Sequence, residues 1–239
     1  MIDFKPYGDS AILINFEQVI DKTINDKVVF ISKNIENTSI PGLLYCLPAY
    51  CSITIGYDPS QIKYILLIDL IKRIIEQKQE EKIEINARNF LIPVCYEPPY
   101  ALDLADLSSQ LAISQKEIIE LHYSQVYQIY MLGFLPGFPY MGILPNNLNC
   151  RRKEIPRKKV NAGSVGLAGC QTGIYPIDAP GGWQIIGRTP VPIFNQKNEF
   201  PFLFQVGDSV EFYPISINEF DNLEKDLSKG NIDYKDFHG

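Results

Sequence analysis

The residues most able to do chemistry lie between Gly133 and Pro190, which hold 10 of the 16 glycines and 7 of the 17 prolines, interleaved with aromatics. Arg157 follows the turn pair Ile155-Pro156, and Arg188 stands in Gly187-Arg188-Thr189-Pro190 after the apolar Ile185-Ile186. A guanidinium aimed by a stiff turn can clamp a carboxylate or phosphate through two parallel hydrogen bonds. Arg188 reads equally as a residue that ties down loop carbonyls, whereas the turn at Ile155-Pro156 favours the clamp for Arg157. Lys158 belongs with Arg157 to a run of six basic residues, Arg151, Arg152, Lys153, Arg157, Lys158 and Lys159, within nine positions. That run suits a solvated loop guarding a sheet edge, or a grip on an anion from a substrate or from a partner protein.

Neutral donors accompany the cations. Gln171 and Thr172, in Gly169-Cys170-Gln171-Thr172-Gly173-Ile174-Tyr175, could hydrogen-bond an amide or lactam, whereas Tyr175 reads better as core. Trp183, the only tryptophan, follows two glycines and could wall a cleft or plug a barrel end. Phe134, Phe138 and Tyr140 pose the same choice between pocket lining and a surface buried against another polypeptide. His122 and His238 are the only histidines, so a Ser-His-Asp or Cys-His site would have to rest on His122. A histidine ending the apolar helix Ile118-Ile119-Leu121 also suits packing or a favourable helix-dipole contact.

Several chemistries are excluded. Five scattered cysteines without a Cys-x-x-Cys pair predict reduced thiols, with neither a disulfide framework nor a zinc site. The segment Gly163 to Gly169 lacks the lysine of a phosphate loop and the dinucleotide glycine spacing. A net charge of −6 argues against nucleic acid or an anionic membrane as the main partner. No run approaches the roughly 20 apolar residues of a membrane span, and Met1-Ile2-Asp3-Phe4-Lys5 does not open like a signal peptide, which together predict a cytoplasmic protein.

These side chains need a scaffold. Ser10 to Phe16 reads as a strand, and Ile20, Ile24, Val28, Ile31 and Ile35 recur at helical spacing. Strands over Gly42 to Leu47 and Ser52 to Tyr57, divided by Pro48, precede a second helix through Ile75, with a last strand expected at Lys82 to Ile85. This order predicts an α+β, ferredoxin-like N-terminal domain over residues 1–88. From residue 89 to 239 the pattern changes. A strand over Phe90 to Tyr96 leads to two short helices, the second capped by Ser114 with Glu117 as its capping-box partner. Short apolar runs broken by Gly and Pro then predict a β-barrel or sandwich ending with a strand at Ser209 to Tyr213. Residues from Ile217 are amphipathic, Gly230 breaks any helix there, and the tail past Asn231 is expected to be mobile.

Four motifs, Gly133 to Gly142, Pro156 to Gly166, Gly169 to Pro176 and Ala179 to Pro190, resemble the allophanate hydrolase subunit 1, or KipI-like, family. The weaker Tyr7-Gly8-Asp9-Ser10-Ala11 start extends the likeness over nearly the whole chain. Cys170 and Ala179 depart from the residues expected there, and both are small. The resemblance implies a small α+β domain followed by a mainly β, cyclophilin-like barrel. It further implies the role of the B-type component of an ATP-dependent 5-oxoprolinase, which opens 5-oxoproline to glutamate together with C-type and A-type partner subunits. Other members form half of the carboxyltransferase region of urea amidolyase or inhibit a sporulation histidine kinase, so a kinase is an alternative partner. On the enzymatic reading Arg188, Arg157 and His122 are the candidate catalytic residues. Gln171, Thr172, Tyr140, Trp183, Phe134, Phe138 and Lys158 are then candidates for contacting substrate or partner, and ATP belongs to a partner or to a seam between subunits. A barrel of cyclophilin type does not by itself imply prolyl isomerase activity.

Overall fold

The computed structural model describes residues 2–78, 87–230 and 237 of the 239. Two compact units divide the chain, Met1–Asn86 and Ala87–Gly239.

In the first unit, β1 (Asp3–Pro6), β2 (Ala11–Asn15), β3 (Leu43–Ala49) and β4 (Ser52–Tyr57) form antiparallel pairs in the order β1-β2-β4-β3. Alternation along β2 and β4 sends Ile12, Ile14, Ile53 and Ile55 to one face, all completely buried. That face is covered by α1 (Lys22–Glu36), through Val28, Ile31 and Ile35, and by α2 (Tyr64–Lys78), through Leu67, Ile71 and Ile75. Helix α1 begins at Lys22, where the Asp21 side chain accepts the Ile24 amide, two residues past Ile20, the first position of the helical spacing.

The second unit is a closed barrel. Its strands are β5 (Asn89–Cys95), β6 (Val126–Leu132), β7 (Pro139–Gly142), β9 (Ser164–Ala168), β10 (Gln171–Ile174), β12 (Gln184–Arg188) and β13 (Ser209–Ile215), with β8 (Arg157–Val160) and β11 (Ala179–Gly181) outside it as a two-stranded ribbon. The order β6-β13-β5-β12-β9-β10-β7 returns from β7 to β6, so no edge remains open. Only β5 and β13 run parallel. Phe90, Ile92, Val94, Ile129, Val165, Leu167, Ile186 and Phe212 are among the side chains that fill the interior. Around it lie α3 (Leu104–Leu111), α4 (Gln115–Tyr123), a short 3-10 turn at Asn146–Leu148, and α5 (Ile217–Lys229). The Ser114 hydroxyl accepts the Glu117 amide at the start of α4, and α5 opens on a complete capping box between Ser216 and Glu219.

The fold class read from the sequence needs correction. The described residues form a mainly β chain built on a closed seven-stranded barrel with five α-helices, and no separate ferredoxin-like domain preceding the barrel is shown. A ferredoxin-like sheet would place the strand after α2 beside β2. That position is taken by β1, which folds back on β2 as a hairpin, with Phe4 opposite Ile14. The expected strand at Lys82 to Ile85, His238, and the tail past Asn231 apart from Phe237 lie outside the described residues. Pro48, read as a divider, sits inside β3 opposite Ile53.

Candidate functional site

The site begins with a carboxylate that no local pattern marks. Asp103 stands at the N-cap position of α3 without its side chain bonding the helix, and it is 1% exposed. Its Oδ1 accepts from Arg157 Nη2 at 2.5 Å and from Lys153 Nζ at 2.7 Å, while Oδ2 accepts the Ile185 amide at 2.7 Å. Burial raises the pKa of this carboxyl, but the bonds from Arg157, Lys153 and Ile185 outweigh that and hold it below the ordinary aspartate value. The ribbon strand β8 supplies Arg157, the loop before it supplies Lys153, and β12 supplies the amide. A carboxylate 54 residues away in sequence therefore aims Arg157.

Beside this ion pair lies an aromatic cluster. The Phe138 ring is 5.3 Å from Trp183, 5.1 Å from Tyr175 and 5.0 Å from Tyr140, with edge-on or tilted geometry throughout. Tyr140 and Trp183 are 5.8 Å apart, and the Arg152 guanidinium stands 5.8 Å from the indole centroid. The motif glycines make room for these rings. A Cβ on Gly173 would meet the Pro139 carbonyl oxygen at 2.8 Å and the Phe138 ring at 3.0 Å, and one on Gly166 would meet Trp183 Cβ at 3.0 Å.

Arg157 has one further property. Its Nη1 is buried and finds no acceptor among the described residues. A buried donor left unbonded costs about 1–3 kcal/mol, more when charged, so an oxygen supplied from outside the chain would be favoured there.

The remaining candidates fall in other places. His122 is completely buried inside the barrel, with Nδ1 2.8 Å from the Tyr96 hydroxyl, Nε2 2.9 Å from Thr172 Oγ1 and the ring stacked on Phe212 at 4.7 Å. Burial pulls its pKa down to about 3, so the imidazole is neutral at physiological pH. Thr172 is buried with it and also reaches the Gly166 carbonyl. Gln171 is half-buried at the start of β10, opposite Gly142 and Ala168. Arg188 donates from Nε to the Ala162 carbonyl at 2.9 Å, lies 3.7 Å from Glu224, and stands over the rings of Tyr100 and Phe220 at 5.5 and 5.4 Å. Lys158 is exposed on β8. Phe134 is 65% exposed in a left-handed conformation, with its ring 6.0 Å from Phe138.

The structure thus gathers Arg157, Trp183, Tyr140 and Phe138, with Phe134 at the margin, and places His122 with Thr172, and Arg188, elsewhere. Sequence reasoning missed Asp103 and gave Arg152 no individual role. Only the density of cations around Pro156 hinted at a buried counter-charge.

Comparison with known proteins adds a second line. The family model described as "Carboxyltransferase domain, subdomain C and D" matches residues 2–204. The chain is 38% identical to the B-type subunit of 5-oxoprolinase from Bacillus subtilis over 222 residues, covering 89% of this chain and 92% of that protein. It is 35% identical to the B-type subunit of 5-oxoprolinase from Escherichia coli O157:H7, covering 87% and 93%. Among solved structures it is similar to TTHA0988, with a TM-score of 0.77 and 32% identity over 86% of this chain. It spans 40% of that longer polypeptide.

Proposed function

We propose, on the premise that this chain belongs to the carboxyltransferase domain family of subdomains C and D, that it is the B-type subunit of an ATP-dependent 5-oxoprolinase. In that assembly it works with C-type and A-type subunits to open 5-oxo-L-proline to L-glutamate. The observation that carries this reading is the 38% identity, over nearly the full length of both chains, to a protein named as that component.

The chemistry agrees with the geometry. A lactam is a resonance-stabilised amide, so its hydrolysis needs activation and stabilisation of the negative charge that develops on its oxygen. Arg157, oriented by Asp103 and carrying an unbonded Nη1, supplies fixed positive charge in a partly desolvated place. His122, neutral and enclosed, is assigned to the barrel core, and Arg188 to the attachment of α5.

ATP does not fit this chain's own glycine-rich segment. Residues Ser164–Ala168 form barrel strand β9, with Val165 and Leu167 packed inside, so their backbone amides are not arranged as a phosphate cradle. The nucleotide is accordingly assigned to a partner polypeptide. Five unpaired cysteines support a cytoplasmic location, and no helix among the described residues is long and apolar enough to cross a membrane.

The test is to copurify the chain with candidate C-type and A-type subunits and measure ATP-dependent glutamate release from 5-oxoproline. An assembly that releases glutamate only when this chain is present supports the reading. An inert assembly, with a chain that alone blocks histidine kinase autophosphorylation, replaces it with the inhibitor role.

A further inference from the structure

The loop from Lys153 to Arg157 is pinned at both ends and holds an apolar side chain out in water. Lys153 Nζ and Arg157 Nη2 both bond Asp103, and the Lys153 amide donates to the Gly182 carbonyl at 2.7 Å. Between them Ile155 is 84% exposed, with Pro156 exposed beside it. A buried carboxylate and two cations thus make rigid a loop whose apex adds almost nothing to the core.

Phe134 repeats the pattern at the other end of the ring contacts. It is 65% exposed at φ 68°, a left-handed backbone that a side chain with a Cβ disfavours and glycine adopts freely. So exposed a ring recovers little of that cost within this chain, and an outlier of this kind points to a contact made elsewhere. Ring centroids step 6.0 Å from Phe134 to Phe138 and 5.3 Å on to Trp183, next to Gly182, where an added Cβ would lie 3.6 Å from Pro156. The two projections are therefore close enough to share one interface of standard size, about 800 Å² per partner.

Charge surrounds Ile155. Lys153 and Arg157 share Asp103 and Lys159 pairs with Asp178, which leaves the exposed Arg151, Arg152 and Lys158 against Glu154, the only acid of the run. This rim is positive in a chain of net charge −6. A second copy would bring the same cations to the seam, so the rim disfavours self-association and suits a partner with an acidic margin. The matched family is described as subdomains C and D of a carboxyltransferase domain, and the chain spans 40% of TTHA0988. Both facts support a partner that supplies the rest of a larger unit. We propose that Ile155 and Phe134 are preformed apolar anchors that dock the C-type subunit, with Arg151, Arg152 and Lys158 meeting acidic groups around them. This rests on the 5-oxoprolinase reading. Anchors already held in place bind without the cost of ordering a loop, and apolar centres within a charged rim are how interface hot spots are built.

Purified full-length chain and a candidate C-type subunit are brought together on a biosensor, with Ile155→Ser, Phe134→Gly and Arg151→Glu variants in parallel. Ile155→Ser and Phe134→Gly are each expected to weaken binding about tenfold or more, mainly through faster dissociation, the scale for truncating an interface anchor. Arg151→Glu and added salt are expected to slow association. Both anchors are exposed and glycine relaxes the left-handed backbone of Phe134, so the variants fold, and thermal melts check this. The proposal is overturned by a wild-type chain that does not bind the C-type subunit, by either anchor variant binding as wild type does, by association indifferent to salt and to Arg151→Glu, or by a chain that uses Ile155 to pair with a second copy of itself. The two readings separate cleanly. An assembly that forms through both anchors yet releases no glutamate refutes the enzyme and keeps the docking surface, while an assembly that releases glutamate with the anchor variants bound as tightly as wild type refutes the surface alone.

Discussion

Arg157 Nη2 approaches Asp103 Oδ1 to 2.5 Å, joining the outer ribbon strand β8 to the start of helix α3. The carboxylate is 1% exposed and each cation bound to it is less than a third exposed, so the cluster is largely withdrawn from water. Neutralising it with an amide leaves two partly buried cations without their counter-ion and puts an NH2 donor in place of one of the two oxygens that accept from Lys153, Arg157 and the Ile185 amide.

Asp103→Asn is therefore expected to lower stability by about 3 kcal/mol, the scale for deleting one partner of a buried ion pair. Urea denaturation measures it. A loss below about 1 kcal/mol would mean that the cluster is solvated in solution.

His122 gives the fold an acid-sensitive element. Its folded pKa is about 3 against 6.5 for the free side chain, so below pH 6.5 the unfolded chain takes up a proton that the folded one refuses. The stabilisation is complete above pH 6.5 and falls by about 1.4 kcal/mol per pH unit between 6.5 and 3. His122→Gln removes this dependence, which would appear as a shallower decline in unfolding free energy between pH 6.5 and 4.5 than in wild type. Parallel declines would contradict the buried, neutral assignment.

Gly173 leaves no room for a side chain. Alanine there would press against the backbone oxygen of Pro139 and the buried ring of Phe138. We expect Gly173→Ala to cost about 1–3 kcal/mol, whereas Gly182→Ala, with no neighbour nearer than 3.6 Å, is expected to cost less. Thermal melts of the two variants make the comparison.

Arg188→Ala removes the donor to Ala162 and the cation over Tyr100 and Phe220. The expected cost is about 1–2 kcal/mol, with faster amide exchange in α5. Unchanged exchange combined with lost turnover in the assembled enzyme would instead mark Arg188 as a residue that contacts substrate.

Local patterns in the sequence were readable where one element determines them. The helical spacing of Val28, Ile31 and Ile35 led to the buried face of α1, and the Ser114 and Glu117 pair to the start of α4. The glycine-aromatic motifs marked the right region for the site, although their glycines are there largely to admit rings. Strand β1 escaped notice because Asp3–Pro6 has no alternation of its own and is a strand only by pairing with β2. That missing hairpin led to the ferredoxin-like expectation. Asp103 escaped for a related reason. Its role depends on Lys153 and Arg157, brought to it by tertiary packing, and no short-range signal separates it from an ordinary helix cap.

Steady-state kinetics of a reconstituted assembly carrying Arg157→Lys test the composite site most directly. Lysine keeps the charge and the pairing with Asp103 but loses the fork and its unbonded Nη1. If Arg157 holds the oxyanion of 5-oxoproline, kcat/KM for ATP-dependent glutamate release falls by about tenfold or more while the subunits still copurify. Wild-type kcat/KM in that variant would show that Arg157 only fastens its own ribbon to α3.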